Sequence, residues 1–470
     1  MRGIYIAKSK FYSGICALLI LAVYALVTQE NSDLRALCIK SVIALVCSLL
    51  PVVWKTRKIT GGLLYCICLA FMHMGQVIIV ALDMEFTRQL KNSIAIGQGI
   101  ANSMPTVRFS TLAYILAVVV VCFVENAEIA GDHIRTYSDE RGEQQVGLQT
   151  IVKVVIALIG ILAVISDLVR AVNVATVGYG AGYKQANIVL YYADMLFMMC
   201  SFLIISTYKN SPKVISRLVI FVMLRAAFAA FFIGARSDAV VNVLMCVFAI
   251  RKLTTDSEIR RRVTRVFIWI CVIGVVALPF TGIARNNTTL TLSSFLQEYN
   301  PISYSLTEFG GTIINVRLGI AHHGELPISD FFKSFLSIIP MSTVLIPGLQ
   351  TNYGGGYSAY LNSTSNGISL GLGGSLIGEA AFWFGTGGAG LLYILIIVII
   401  VASCMNTLEK NRLNNGIAAN TATLFLLYEM FYHIRGSISD FQSGIKLAIY
   451  FFIILKVARR YVFYVDGERK

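Results

Sequence analysis

Arginines near the ends of apolar segments are the residues of this sequence best suited to chemistry. A guanidinium group forms paired hydrogen bonds with phosphate oxygens, a geometry that lysine does not offer. One of them, Arg225, lies inside an apolar segment, where a charged residue is rare and indicates a function. The set therefore predicts a site that holds an anionic group such as a diphosphate. Its members are Arg170, Arg225, Arg236, Arg285, Arg317 and Arg435.

A single arginine at the end of a membrane segment has a simpler interpretation, since its long side chain reaches lipid headgroups. Several such arginines on one side of the membrane favour a shared role. Arg225 and Arg236 are eleven residues apart, about three helical turns. They would share one face of a helix if that helix continued through both.

Candidate proton acceptors accompany these arginines, and the most conspicuous is Glu379 in 371-GLGGSLIGEAAFWFGTGGAG-390. The sequence contains no HExxH, paired DxD or Walker loop, and Cys66-Ile-Cys68 has no second pair to complete a zinc site. We therefore predict chemistry without a metal or other cofactor, in which fixed positive charge stabilises a departing anion. The other candidate acids and bases are Glu298, Glu308, His322, His323, Glu325 and Asp440. For the histidine pair, a merely polar loop is the simpler interpretation.

Tyrosines could supply aromatic and hydrogen-bonding surface beside such a site. Three occur in 352-NYGGGYSAYLN-362. An amphipathic belt at the membrane interface is an equally good explanation for them. The candidates are Tyr304, Tyr353, Tyr357 and Tyr360.

The elements that must position these residues are membrane helices. The 470-residue chain is 56% hydrophobic and only 14% charged, whereas soluble domains carry about 25% charged residues. Apolar runs recur near the length of about 20 residues that crosses a bilayer. The sequence predicts an all-α polytopic membrane protein with twelve spans. These lie at about 11–28, 36–54, 62–82, 109–124, 151–169, 187–207, 214–233, 237–250, 266–284, 385–405, 417–434 and 441–456.

The net charge of +14 is best explained by the orientation of the chain in the membrane. With twelve spans both termini share one side, and the clusters around Lys55, Lys209, Arg260, Lys410 and Arg459 fall on that side. This is the positive-inside pattern of cytoplasmic loops, so we predict no nucleic-acid partner. The first apolar run is too long for a cleaved signal and is predicted to be a retained anchor.

Three regions follow from this layout. Residues 1–284 hold the first nine spans, residues 285–384 form a large extracytoplasmic loop, and residues 385–470 hold the last three spans and a cytoplasmic tail. Prolines at 340 and 347 interrupt the apolar piece 329–348, which predicts interfacial or re-entrant helices. If that piece crossed the membrane, thirteen spans would move the C-terminus to the other side, against the basic pair at Arg459 and Arg460.

The glycine-rich segment needs its own explanation. Leu391–Met405 offers only fifteen apolar positions, so the tenth span recruits residues from about Phe384. Glu379 then lies roughly two helical turns above it, at the outer interface. Gly374 and Gly378 predict close packing on a neighbouring helix, and the later glycines predict a sharp turn. For all these glycines, packing alone is an equally good interpretation.

These residues also resemble a known family. The segment 371–390 is similar to the G-G-S-x-x-G-E-x-(aromatic)-x-x-F-G-x-x-G signature of the O-antigen and capsular polysaccharide polymerases, the Wzy-type oligosaccharide repeat-unit polymerases. The G-x-R element at 234-GAR-236, the outer Arg435 and the late outer loop resemble that family too. Two departures stand out. Ala380-Ala381 replaces the aromatic expected after the glutamate, and no histidine aligns with a catalytic base.

The resemblance implies a glycosyltransferase at the outer face of the bacterial cytoplasmic membrane. It would transfer a growing glycan from a polyprenyl diphosphate carrier onto a new lipid-linked repeat unit, and a polysaccharide chain-length regulator is an expected partner. Glu379 would accept the proton from the attacking hydroxyl, with His323 as the second candidate. Arg236 and Arg435 would act with Glu379 at the reacting groups. The predicted substrate-binding residues are Arg225, Arg285, Arg317, His323, Tyr304 and Tyr357.

Two other functions remain open at this stage. An O-antigen ligase differs only in its acceptor, and nothing in the sequence separates it from a polymerase. A polysaccharide flippase would explain the spans, but related halves and functional charges in both halves of the membrane would be expected of it. This chain instead concentrates its unusual charges on one side.

Overall fold

The computed structural model is almost entirely helical. It describes residues 4–5, 8–29, 33–56, 60–84, 103–125, 128–129, 146–177, 187–269, 301–337, 339, 342, 346, 349, 357–364, 374–413 and 416–465. Two short antiparallel strand pairs accompany the helices. They are β1 (Ile4–Tyr5) with β2 (Glu128–Ile129), and β3 (Val146–Leu148) with β4 (Phe463–Val465).

The chain forms two compact units, each assembled from separate segments. Unit 1 comprises Met1–His133, Thr289–Asn406 and Met430–Gln442. Unit 2 comprises Ile134–Thr288, Thr407–Glu429 and Ser443–Lys470.

Unit 1 begins with four long apolar helices. They are α1 (Lys8–Val27), α2 (Leu34–Thr56), α3 (Gly61–Ala81) and α4 (Met104–Val124). A buried carboxylate, Glu125, joins three of them at one end. It accepts hydrogen bonds from the Thr60 hydroxyl at 2.5 Å and the Gly62 amide at 3.1 Å, while Lys10 donates to its carbonyl at 3.0 Å. Thr60 also caps α3 by accepting from the Leu63 amide.

Short helices fill the second part of unit 1. They are α10 (Pro301–Gly310), α11 (Ile313–Ala321), α12 (Ile328–Leu336), α13 (Tyr357–Thr364) and α14 (Leu376–Phe384). Helix α10 packs tightly on α3, because any side chain at Gly75 would clash with the backbone around Leu306 and Gly310. Small residues therefore allow these two helices to approach each other closely.

Unit 2 contains the helices between residues 150 and 269. They are α5 (Thr150–Val177), α6 (Ile188–Thr207), α7 (Pro212–Phe228), α8 (Arg236–Leu253) and α9 (residues 257–269). The last part of the chain forms α15 (Gly388–Leu413), α16 (Ile417–His433), α17 (Ile438–Val457) and α18 (Arg459–Val462).

Eight of the described helices are long and apolar enough to cross a bilayer. They confirm the prediction of an all-α polytopic membrane protein, while the count of twelve stays a prediction. Predicted spans 237–250, 417–434 and 441–456 coincide with α8, α16 and α17. Most of predicted span 266–284 lies outside the described residues. The eight are Lys10–Val27, Leu34–Trp54, Gly61–Ala81, Met104–Val124, Thr150–Val177, Ile188–Thr207, Pro212–Ile233 and Gly388–Glu409.

Helix α12 occupies the start of the apolar piece interrupted by prolines. Its 9 residues extend about 14 Å, roughly half of the hydrocarbon thickness of a bilayer. One side, with Asp330, Phe331 and Ser334, is buried against the protein, while Phe332 and Phe335 on the other side are about half exposed. An amphipathic helix of this length agrees with the interfacial interpretation.

Candidate functional site

Glu379 lies in a closed pocket of protein within unit 1. Its side chain is 1% exposed, and its carboxylate accepts hydrogen bonds from three groups. They are the Tyr393 hydroxyl at 2.9 Å, Nε2 of His433 at 2.8 Å and the Ile438 amide at 3.1 Å. Protein groups rather than water therefore surround this carboxylate, and its position at the outer interface stays a prediction. Since α14, α15, α16 and α17 all meet at it, Glu379 joins four elements.

The N-terminus of α14 is fixed by a serine and a distant histidine. Ser375 caps the helix, accepting from the Gly378 amide at 3.0 Å, and it is bonded to Nε2 of His73 at 2.8 Å. Nδ1 of His73 faces the Leu69 carbonyl at 3.0 Å. Because a carbonyl only accepts, Nδ1 carries the proton, and Nε2 of the neutral ring accepts the serine hydroxyl proton. The first turn of α14, which carries Glu379, is thereby tied to α3.

The glycines around Glu379 permit contacts that larger residues would block. A Cβ at Gly374 would clash with the backbone of Gly436, and one at Gly378 would clash with Tyr357 and Asn315. The prediction that Gly374 and Gly378 pack closely on a neighbour is confirmed. Gly385 ends α14 with φ +74°, a conformation that favours glycine. It confirms the predicted sharp turn before the tenth span.

Arg435 lies in the turn that holds Glu379. The turn connects α16 to α17, and His433 on one side and Ile438 on the other both donate to the Glu379 carboxylate. The Arg435 side chain is half-buried. Among the described residues, no carboxylate pairs with it. Its position is thus set by Glu379, while its guanidinium is available to an anion.

Arg317 lies on the side of α11 that faces away from α14. Asn315 donates to the Gly374 carbonyl at 3.1 Å, and Gly319 abuts Gly378. Arg317 is two residues from each, so it points to the opposite side of the helix. In the described part of the chain it too has no carboxylate partner. This arrangement therefore does not place the Arg317 guanidinium beside Glu379.

His323 lies at the exposed end of α11, beside the end of α14. Its Nδ1 is 2.8 Å from the Phe382 carbonyl, so Nδ1 carries a proton and donates it. In the neutral ring Nε2 then has a free lone pair. Nε2 lies 3.1 Å from where a Cβ of Gly385 would be. A larger residue at that glycine would crowd the one basic atom of this ring.

Tyr357 is fully buried and serves packing. Its hydroxyl donates to the Asn315 carbonyl at 2.6 Å, and its ring packs on Phe382. Burial raises the pKa of the Tyr357 phenol well above its usual value. The hydroxyl therefore stays protonated and bonded to the backbone, which leaves no surface for a sugar. Tyr304 lies in α10, and its side chain is outside the described residues.

A polar cluster lies on the surface next to these residues. The Tyr360 hydroxyl donates to Glu325, and Nδ1 of His322 is 2.9 Å from the same carboxylate. These two hydrogen bonds lower the pKa of Glu325. The contacts agree with the simpler interpretation of His322 as a polar loop residue.

In unit 2, Arg225 belongs to a neutralised ion-pair network. Its Nε lies 2.5 Å from Asp167, and it also pairs with Asp194. Arg170 lies 2.7 Å from Asp167 and 2.9 Å from Asp194. Phe197 packs against the Arg225 guanidinium with its ring centre 4.5 Å away. Two arginines and two aspartates balance, so this network stabilises contacts among α5, α6 and α7 and offers little attraction to a diphosphate.

Arg236 follows a break in the helix, and its side chain is 5% exposed. A π-helical turn at Ala229–Ile233 ends at Gly234, where φ is +78°. Only then does α8 begin, at Arg236. Arg225 and Arg236 therefore lie on two different helices, and the condition for a shared face is not met. π-helical turns of this kind are frequent at functional sites.

Sequence reasoning missed several partners of the predicted site residues. Nothing local identifies His433 or Tyr393 as partners of Glu379. Asp167 and Asp194, in contrast, are acidic residues inside apolar spans, and the rule that flagged Arg225 could have found them. Arg285 and Tyr353 lie outside the described residues. Within the residues described, no group of three or more potential metal ligands occurs.

Comparison with known proteins identifies the family. The family model for O-antigen polysaccharide polymerase Wzy matches residues 10–463. No curated protein and no solved structure matches the chain. The matched residues include every span-forming helix, the Glu379 segment and the Arg435 turn, so the chain belongs to the O-antigen polysaccharide polymerase Wzy family.

Proposed function

We propose that this protein polymerises oligosaccharide repeat units carried on a polyprenyl diphosphate lipid. The reaction takes place at the outer face of the bacterial cytoplasmic membrane and builds an O-antigen or capsular polysaccharide. Family membership supports polymerisation of O-antigen repeat units in general. The lipid donor and the outer face are parts of our proposal, as is a chain-length regulator that acts on the product.

The proposed reaction is a glycosyl transfer. A hydroxyl of the acceptor sugar attacks the anomeric carbon of the donor glycan, the bond to the diphosphate oxygen breaks, and the lipid diphosphate leaves with the electron pair. Arginines are suited to stabilise that leaving anion. In this proposal Arg435 and Arg317, both in unit 1, are diphosphate ligands.

We propose different roles for Glu379 and His323, the two candidates for accepting the proton. Its carboxylate already accepts hydrogen bonds from Tyr393, His433 and Ile438, so we assign it the task of holding the Arg435 turn. With Nδ1 of His323 bonded to the Phe382 carbonyl, Nε2 of the neutral ring is an acceptor near the surface, which suits a general base. We therefore propose that His323 accepts the proton of the attacking hydroxyl.

The Arg435 turn is the observation that carries the proposal. A buried carboxylate fixes both flanks of a turn whose central arginine has no carboxylate partner within the described part of the chain. An arginine used only for stability would be expected to have such a partner. Fixing its backbone from both sides is what preorganised binding of an anion requires.

The test is Arg435→Ala in cells that lack their own copy of the gene. We expect long polymer to disappear and lipid carrying a single repeat unit to accumulate, as measured by gel electrophoresis of the polysaccharide and by lipid extraction. The matched control is Arg262→Ala, whose side chain is 70% exposed and pairs with Glu258. Normal polymer length in Arg435→Ala, with the protein present in the membrane, would contradict the proposal.

A second experiment separates polymerase from ligase and flippase. Purified protein is supplied with the lipid-linked single repeat as its only glycan. A polymerase produces lipid-linked dimers and longer chains and releases free lipid diphosphate. A ligase lacks its acceptor in this mixture, and a flippase forms no new glycosidic bond, so either would leave the repeat unit unchanged.

A further inference from the structure

A cleft lined by arginines lies in unit 2, where α8 meets α9. Its volume is about 550 Å³. Neither the proposed glycosyl transfer nor the family match assigns a role to it. The cleft is lined by Arg251, Ser257, Arg260, Arg261, Thr264, Arg265 and Ile268.

The four arginines reach the cleft from two helices. Arg251 comes from the last turn of α8. Arg261 and Arg265 are one turn apart on α9, so they share a face. Nη2 of Arg260 donates to the Thr255 carbonyl at 3.3 Å, which orients its guanidinium. Membrane orientation depends on how many charges lie in a loop and does not require them to converge in this way.

Hydrogen bonds fix the corner between α8 and α9, residues 254–256, next to the arginines. Asp256 caps α9 by accepting from the Glu258 amide at 2.7 Å. The Thr254 hydroxyl donates to the Lys209 carbonyl at 2.6 Å and ties the corner to the preceding helical connection. The arginine cluster is therefore held in place by local hydrogen bonds.

Nearby carboxylates do not neutralise this cluster. Asp256 is used as the cap of α9, and Glu258 pairs with Arg262, outside the cleft. In the part of the chain that the structure describes, none of the four lining arginines has a carboxylate partner. Like charges gathered in one cleft repel each other, so a bound anion would stabilise the arrangement.

The cleft also has an apolar end, and this points to an amphiphilic ligand. Ile268 lies on the same face of α9 as Arg261 and Arg265, at spacings of seven and three residues, and is 56% exposed. Trp269, the next residue, is 61% exposed. Tryptophan at such a position is typical of the boundary between headgroups and acyl chains. A small soluble anion would make no use of these two side chains.

We propose that this cleft binds the phosphate headgroup of an anionic phospholipid, with Ile268 and Trp269 against the start of its acyl chains. The ligand is a component of the bilayer and differs from the glycan-bearing substrate. The proposal is independent of polymerisation and holds whether or not the chain forms glycosidic bonds.

The experiment compares two adjacent arginines of α9. Purified full-length protein in detergent is titrated with fluorescent phosphatidylglycerol and, separately, with fluorescent phosphatidylcholine. We expect tighter binding of phosphatidylglycerol and about fivefold weaker binding in Arg261→Ala, the effect of one basic residue near anionic lipid. Arg262→Ala removes the same charge one residue away, outside the cleft, and should change the dissociation constant by less than about twofold.

Three results would overturn the proposal. Equal binding of the two lipids would show that the headgroup charge is not recognised. Equal weakening by the two substitutions would show diffuse attraction without a defined site. Displacement of the lipid by millimolar inorganic phosphate would assign the cleft to a soluble anion. Because Arg261 is exposed, loss of folding is not expected, and Arg265→Ala serves as a second variant of the same face.

Discussion

At the scale of single residues, the contacts of Glu379 favour a role in fixing a turn over the predicted role of proton acceptor. The Glu379 carboxylate has three donors and is 1% exposed, so it is engaged with protein groups and nearly closed to solvent. It can fix a turn, but proton transfer requires a group within hydrogen-bonding reach of the reacting atom. We propose His323 for that step, because its Nδ1 is bonded to the Phe382 carbonyl and Nε2 is left as the acceptor of the neutral ring.

We predict that substitutions at these two residues have different consequences. His323→Ala should lower the polymerisation rate by about 100-fold or more, the typical contribution of a general base, with little change in thermal unfolding temperature. Glu379→Gln should lower the unfolding temperature, since it weakens charge-assisted hydrogen bonds worth about 1.5–3 kcal/mol. Initial rates with lipid-linked repeats and unfolding scans of the purified variants measure both effects.

The opposite pattern would return the base to Glu379. In that case Glu379→Gln would be inactive but as stable as the wild type, and His323→Ala would retain most of its activity. The pH dependence of the rate offers an independent control, since removal of a base eliminates the fall in rate on its acidic side.

At the scale of elements, α14 is held in place by close contacts of its backbone. Gly374 meets Gly436 of the Arg435 turn, and Gly378 meets α11 at Gly319. These contacts explain the glycines at 374 and 378, where neighbouring atoms leave no room for a side chain. They also bring the helix that carries Glu379 against the turn that carries Arg435.

Gly374→Ala is predicted to disturb this arrangement. Its Cβ would clash with the backbone of Gly436, which cannot rotate away as a side chain could. Overpacking of this kind costs about 1–3 kcal/mol, so we expect a lower unfolding temperature and shorter polymer. Gly387→Ala is the matched control, because nothing lies within 4 Å of its Cβ position. Equal behaviour of the two variants would show that the contact between Gly374 and Gly436 is unimportant.

At the scale of the whole molecule, the sequence predicted the membrane helices well because each span is a local property. Among the described residues, apolar runs of about the right length coincide with helices, for example Lys8–Val27 and Ile438–Val457. The family was also recognisable, since the G-G-S and G-E elements are contiguous. The environment of Glu379 was not predictable, because two of its donors, His433 and Ile438, lie 54 and 59 residues away along the chain. No periodic pattern links such distant positions.

The prediction of twelve spans can be tested on the complete protein. An even number places both termini in the cytoplasm, whereas thirteen spans would export the C-terminus. We expect a green fluorescent protein fused after Lys470 to fluoresce and alkaline phosphatase fused there to be inactive. Active phosphatase would support a thirteenth crossing in the region of Pro340 and Pro347.

The ion-pair network of unit 2 has a consequence for how the chain enters the membrane during synthesis. Helix α5 carries Asp167 and Arg170 one turn apart, so these two charges balance within one helix. The other acid of the network, Asp194, lies in α6, and the other base, Arg225, lies in α7. Each would cost about 2.5–3.5 kcal/mol to insert singly by the translocon scale. We infer that α6 and α7 leave the translocon together as a hairpin, with the charge of the second helix completing the membrane integration of the first.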